Sequence, residues 1–142
     1  MKWIVAYIRW IMLVAGMLTA TVFQYALAPQ AALTADFGQG VDGALAELLV
    51  RNWGVLVGLV GLMLIYGAFV PPARRLVLSV AVLSKLAFVI LMLTAGSAYL
   101  AQRIRYAVVI DSLEVLLFAA FLFVTGRQAH ARARPESKVA SS

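Results

Sequence analysis

Four stretches of about twenty mostly apolar residues account for most of the chain, at roughly 3–27, 49–70, 76–100 and 106–125. A bilayer hydrocarbon core is about 30 Å thick, and a helix rising ~1.5 Å per residue crosses it in about 20 residues. Inside lipid every backbone N–H and C=O must find its partner within the chain, so each stretch is expected to be helical. The sequence therefore predicts an all-α integral membrane four-helix bundle. It forms a single domain over 1–126, followed by a basic cytoplasmic tail over 127–142 that is largely disordered. Composition agrees: 64% of residues are hydrophobic and 13% charged, against about half and a quarter in soluble domains. Pro71 and Pro72 close the second span, because proline lacks a donor and restricts the residue before it. No repeat of 20–50 residues and no inverted symmetry is visible.

The first span has a rival reading as a secretory signal, with Lys2 as its charged end and Ala26-Leu27-Ala28 as a cleavage site. Arg9 interrupts that pattern, the apolar run is long, and Pro29 would follow the cut, so a retained helix is expected. Orientation follows from the basic residues near span ends. Lys2, Arg9, Arg74, Arg75, Arg127, Arg132, Arg134 and Lys138 fall on one side, and Arg51, Arg103 and Arg105 on the other. The first side is expected to be cytoplasmic, with both termini inside. The connection 28–48 then lies outside, with a turn at Phe37-Gly38-Gln39-Gly40 and Asp42 as a helix cap. The tail is expected to extend the fourth span briefly before Pro135, and its basic residues suit anionic lipid.

Helices in lipid associate through close packing and polar contacts. In the second span Gly54, Gly58 and Gly61 mark such a packing surface. Arg51, Gly54, Val55, Gly58, Leu62 and Ile65 share one face at about 100° per residue. The neighbour on the glycine ridge should therefore meet Arg51. Packing within one chain is the first expectation, and a homodimer or membrane-complex interface the second. Trp3, Tyr7, Trp10, Trp53 and Tyr106 fall near span ends, as an aromatic belt would.

Ionisable groups inside a membrane are expensive and mark functional sites by default. Arg51, Lys85, Asp111 and Glu114 are the candidates. Asp111 and Glu114 adjoin on one helix face and would titrate as a coupled pair. Lys85 matches Glu114 in height, but helical side chains lean towards their own N-terminus, which works against that contact. Arg51 matches Asp111 in height, with Glu47 as a local competitor and Arg103 and Arg105 as alternatives. The four charges either form a structural ion network or line a polar cavity. Asn52, Ser84, Gln24 and Tyr25 are possible supporting residues, the last two more simply interfacial.

There is no cysteine, and the single histidine, His130, lies in the polar tail. Thiolate metal sites and multi-histidine sites within one chain are thus excluded, and no metal or cofactor is expected. The net charge of +6 sits beside apolar spans, which suits membrane orientation rather than nucleic acid.

The segments LVRNWGVLVGLVGLMLIYGAFVP, VLSKLAF and RYAVVIDSLE resemble DoxX-like and neighbouring uncharacterised small four-helix membrane proteins of bacteria. Arg51, Gly58, Gly61 and Asp111 are the matching positions, over about residues 49–126. Lys85 and Glu114 are not part of that pattern. The resemblance implies a compact bundle, often beside redox or stress functions, and supplies no activity.

The leading expectation is a non-catalytic protein of the bacterial inner membrane. It would bind a small or lipid-like ligand, a quinone among them, or serve as an accessory subunit. A proton-coupled transporter is the alternative, although four-helix exporters of similar size place a lone Glu in span one, which here has no acid. A membrane isomerase or oxidoreductase acting on a lipid or quinone comes third. Acids beside Trp or Tyr can move protons, but no nucleophile–base constellation or cofactor motif supports it.

Overall fold

The computed structural model describes residues 2–133, with side chains placed for 6–127. Arg134, Pro135 and Lys138 of the tail lie outside the described residues, as do the side chains of Lys2, Trp3, His130 and Arg132. Helix α1 runs Lys2–Ala20 and passes through a 3-10 turn, Thr21–Phe23, into the short α2, Gln24–Leu27. Then come α3, Pro29–Phe37; α4, Ala44–Phe69; and α5, Pro71–Thr94. A second 3-10 turn, Ser97–Ala101, leads to α6, Ile104–Ala133. Among the described residues four segments are long and apolar enough to cross a membrane: Ala6–Leu27, Ala44–Phe69, Pro71–Thr94 and Ile104–Arg127.

Three boundaries differ from the sequence expectation, each for a local reason. The third span begins at Pro71, not near 76. Pro71 and Pro72 occupy its first turn, where a missing N–H leaves no helical bond unmade. The prolines that end α4 therefore also start α5. Arg74 secures this corner by donating Nε to the Gly67 carbonyl at 3.2 Å and Nη2 to the Ala68 carbonyl at 3.1 Å. Those are last-turn acceptors of α4 that would otherwise lack partners. The same span ends at Thr94 rather than near 100, because the backbone N–H groups of Ala95 and Gly96 both return to the Leu91 carbonyl. Its apolar continuation SAYLA is 3-10, and its Tyr99 ring meets Phe37 edge-on at 5.6 Å.

The second span begins at Ala44 rather than near 49. Asp42 does not cap it; the N-cap is Gly43 at φ 93°, a conformation open to glycine, with no side-chain cap bond. The connection 28–48 is also not a plain loop. Pro29 opens α3, and Gly38 closes it at φ 77° with its N–H on the Thr34 carbonyl. Gln30 then pins the return by donating to the Val41 carbonyl at 2.7 Å and accepting from the Val41 N–H at 3.2 Å.

The first span packs most extensively on α4. A Cβ at Gly54 would fall 2.7 Å from the Ala26 backbone nitrogen, at Gly58 2.6 Å from the Phe23 ring, and at Gly61 2.5 Å from the Ala20 nitrogen. Such spacing lets two backbones approach, the usual means of association in lipid. Val55 and Leu62, placed on the same face by sequence, are exposed. The main apolar core lies towards the termini, where Ile8, Met12 and Ala15 meet Leu64, Leu78 and Phe118. Towards α3 the packing changes. Thr21–Leu27 packs on α4 and makes no comparable contact with α6.

Candidate functional site

Lys85 of α5 meets both acids of α6. Its Nζ lies 2.5 Å from Asp111 Oδ1 and 2.8 Å from Glu114 Oε2. Lys85 and Glu114 are each 6% exposed, and the Asp111 side chain is 18% exposed. Helix register explains the threesome. Lys85 stands nine residues before Thr94, while Asp111 and Glu114 stand seven and ten after Ile104. At ~1.5 Å per residue these are depths of about 14, 10 and 15 Å from the shared connection. The lysine thus sits between the two acids in height. Its flexible four-carbon stem overcomes the unfavourable lean of the helical side chains.

The two contacts are not alike. Lys85 hydrogen-bonds Asp111. Its approach to Glu114 is an ion contact without hydrogen-bond geometry, so Glu114 Oε2 is buried with no hydrogen-bond partner among the described residues. On the first span, the hydroxyl of Thr19 is in the same condition. Both residues line a cavity of about 580 Å³ that fills the space left between the first span and α6. Val57, Val60, Phe88, Leu91 and Ile110 supply apolar wall, and Tyr25, Trp53 and Tyr106 aromatic wall. Gln24, Asp36, Ser84 and Arg103 add polar groups.

Arg51 does not join this group. Its guanidinium bonds Glu47 Oε1 at 2.7 and 3.1 Å and the Ala26 carbonyl at 2.5 Å. The expected Arg51–Asp111 pair is replaced by the i,i+4 competitor and by the end of α2, which packs on Gly54 beside it. Asn52 is exposed and is not part of the cavity wall. Arg105 turns to Tyr106, with its guanidinium 4.9 Å from the ring centroid. Tyr25 is turned into the bundle. It is 2% exposed, packs edge-on against Trp53 at 4.8 Å, and donates its hydroxyl to Asp36 Oδ2 at 2.6 Å. That bond ties α3 to the first span.

No family model, curated protein or solved structure matches this chain.

The site was only partly legible in the sequence. Arg103, an alternative partner for Asp111 by sequence, lines the cavity, as do Thr19, Thr21, Asp36, Trp53 and Phe88, which the sequence does not mark as site residues. One signal was present: a Thr-x-Thr pair interrupts the apolar run LTATVFQY. There α1 gives way to 3-10 geometry, and the Thr21 hydroxyl donates to the Leu18 carbonyl at 2.6 Å. A 3-10 stretch within a longer helix often marks a functional hinge. With all three ionised, Lys85, Asp111 and Glu114 carry a formal charge of −1, which a proton or a cationic group brings to zero.

Proposed function

We propose that this four-span protein resides in the bacterial inner membrane with both termini cytoplasmic and binds a small lipid-like ligand, as a non-catalytic binding protein or accessory subunit. The observation that carries this reading is the cavity of about 580 Å³ walled by apolar and aromatic side chains around one buried ionic cluster. Its volume falls in the range of small-molecule sites, about 300–1,000 Å³, which combine an apolar lining with a few convergent polar groups. The thin contact between the first span and α6, with Leu18, Ile110 and Tyr106 exposed beside it, suits entry from the lipid. Kinship with the DoxX-like families belongs to the same proposal and rests on Arg51, Gly58, Gly61 and Asp111.

Native mass spectrometry of the full chain released from nanodiscs tests the reading. The wild type should retain one small amphiphile, Val57→Phe should lose it by filling the cavity, and Arg51→Ala should keep it. An adduct that survives Val57→Phe, or none on the wild type, refutes the site. Topology is testable separately because the chain lacks cysteine. Gln39→Cys should label from outside intact cells, and Ser142→Cys only after permeabilisation.

Proton-coupled transport is the second reading. It is favoured by one cation facing two acids beside a break in the first span. In that case Asp111→Asn with Glu114→Gln abolishes proton-driven uptake into vesicles while the protein remains folded.

A further inference from the structure

We propose that the ligand of this cavity is an amphiphilic cation whose polar end donates hydrogen bonds, an alkylammonium or arylammonium compound. This rests on the reading of the cavity as a binding site and names the chemistry it selects. Three independent features of the wall converge on it.

The first is charge. Lys85 is one cation between two carboxylates, and Asp36 and Arg103 add one charge of each sign to the lining, so with all five groups ionised the wall carries one negative charge in excess. An anionic head would add to that excess and a neutral head would leave it, whereas an ammonium cancels it.

The second is hydrogen bonding. Glu114 Oε2, in ion contact with Lys85 Nζ at 2.8 Å, and the Thr19 hydroxyl are buried without hydrogen-bond partners among the described residues, on α6 and on the first span. A buried acceptor left unmade is costly, and bonds to charged groups are the stronger kind. A ligand that only accepts leaves Glu114 as it is. An ammonium offers several donors, so it can serve the carboxylate and still have a donor for a hydroxyl oxygen.

The third is the aromatic wall. The rings of Tyr25, Trp53, Phe88 and Tyr106 border the same space, and ring faces attract cations, more so away from water. The Tyr25 hydroxyl is already committed to Asp36, so its ring, not its oxygen, is what it offers. Val57, Val60, Leu91 and Ile110 then take the hydrocarbon part of the ligand.

Equilibrium dialysis of radiolabelled probes against the full chain in nanodiscs at neutral pH tests this. Binding to Val57→Phe nanodiscs is subtracted to remove partition into lipid. The probes are decylammonium, decyltrimethylammonium, decanol and decanoate. Decylammonium should bind about tenfold or more tighter than each of the other three, since one bond to a charged group is worth at least that. Glu114→Gln should remove that preference, as should Thr19→Val in part. If Glu114→Gln does not fold, the comparison of decylammonium with decyltrimethylammonium on the wild type decides alone. That pair shares charge and tail and differs in N–H donors. Equal or tighter binding of decanol or decanoate, still sensitive to Val57→Phe, overturns the cation and leaves the cavity reading standing. Binding of all four probes indifferent to Val57→Phe overturns both.

Discussion

Replacing Lys85 with Met removes one cation and leaves two carboxylates, about 5 Å apart in depth, facing a shared buried space without a counter-ion. At the observed separations of 2.5 and 2.8 Å, an effective dielectric of ~20 gives a gross attraction of about 6 kcal/mol per contact. Repulsion between the acids and the desolvation of three ions oppose it. Removing one partner of a buried pair costs about 3–5 kcal/mol net, a large share of the ~5–15 kcal/mol that holds a domain together. Removing one acid is different. Asp111→Asn or Glu114→Gln leaves Lys85 with one carboxylate, so each should cost about 2 kcal/mol or less, near the loss of a single charged hydrogen bond. The triple variant Lys85→Met, Asp111→Asn, Glu114→Gln should recover at least half of the Lys85→Met loss, because no bare charge remains. Equilibrium unfolding in mixed micelles, followed by circular dichroism, measures all four variants. If Lys85→Met proves no less stable than either acid variant, or the triple variant no more stable than Lys85→Met, the three ions do not hold α5 to α6 as argued.

Other substitutions probe the surroundings. Gly61→Ala should cost about 1–3 kcal/mol in the same unfolding assay, because its Cβ would fall 2.5 Å from the Ala20 nitrogen and force two backbones apart. Arg51→Ala should add to Lys85→Met within about 0.5 kcal/mol, since the two residues share no partner; strong coupling in that cycle would contradict the separation of Arg51 from the acids. Tyr25→Phe should lower the stability by about 1 kcal/mol, through the lost bond to Asp36, and hydrogen exchange should quicken across Pro29–Phe37 before it does elsewhere.

The four candidate spans are legible in the chain because being long and apolar enough to cross a bilayer is a property of each segment alone. Length and hydropathy suffice, and no partner need be known. The glycine ridge was readable for a similar reason. Small side chains at Gly54, Gly58 and Gly61 announce a close approach whatever approaches, and the partner proves to be the first span. The local Glu47–Arg51 pair was likewise visible, being set by i,i+4 spacing within one helix.

Which charge meets which across helices was decided only by the tertiary structure. Register between α5 and α6 depends on where the chain turns, and that turn follows the Leu91 carbonyl and a 3-10 segment that hydropathy does not distinguish from helix. A shift of a few residues there changes depth by several ångströms, enough to move Lys85 from beside one acid to between two. The cavity has the same origin. It arises where the first span changes pitch at Thr21–Phe23 and follows α4 rather than α6. Apolar segments thus declare their own place in a membrane, while a buried ion's partner depends on the relative placement of two helices, which neither helix encodes alone.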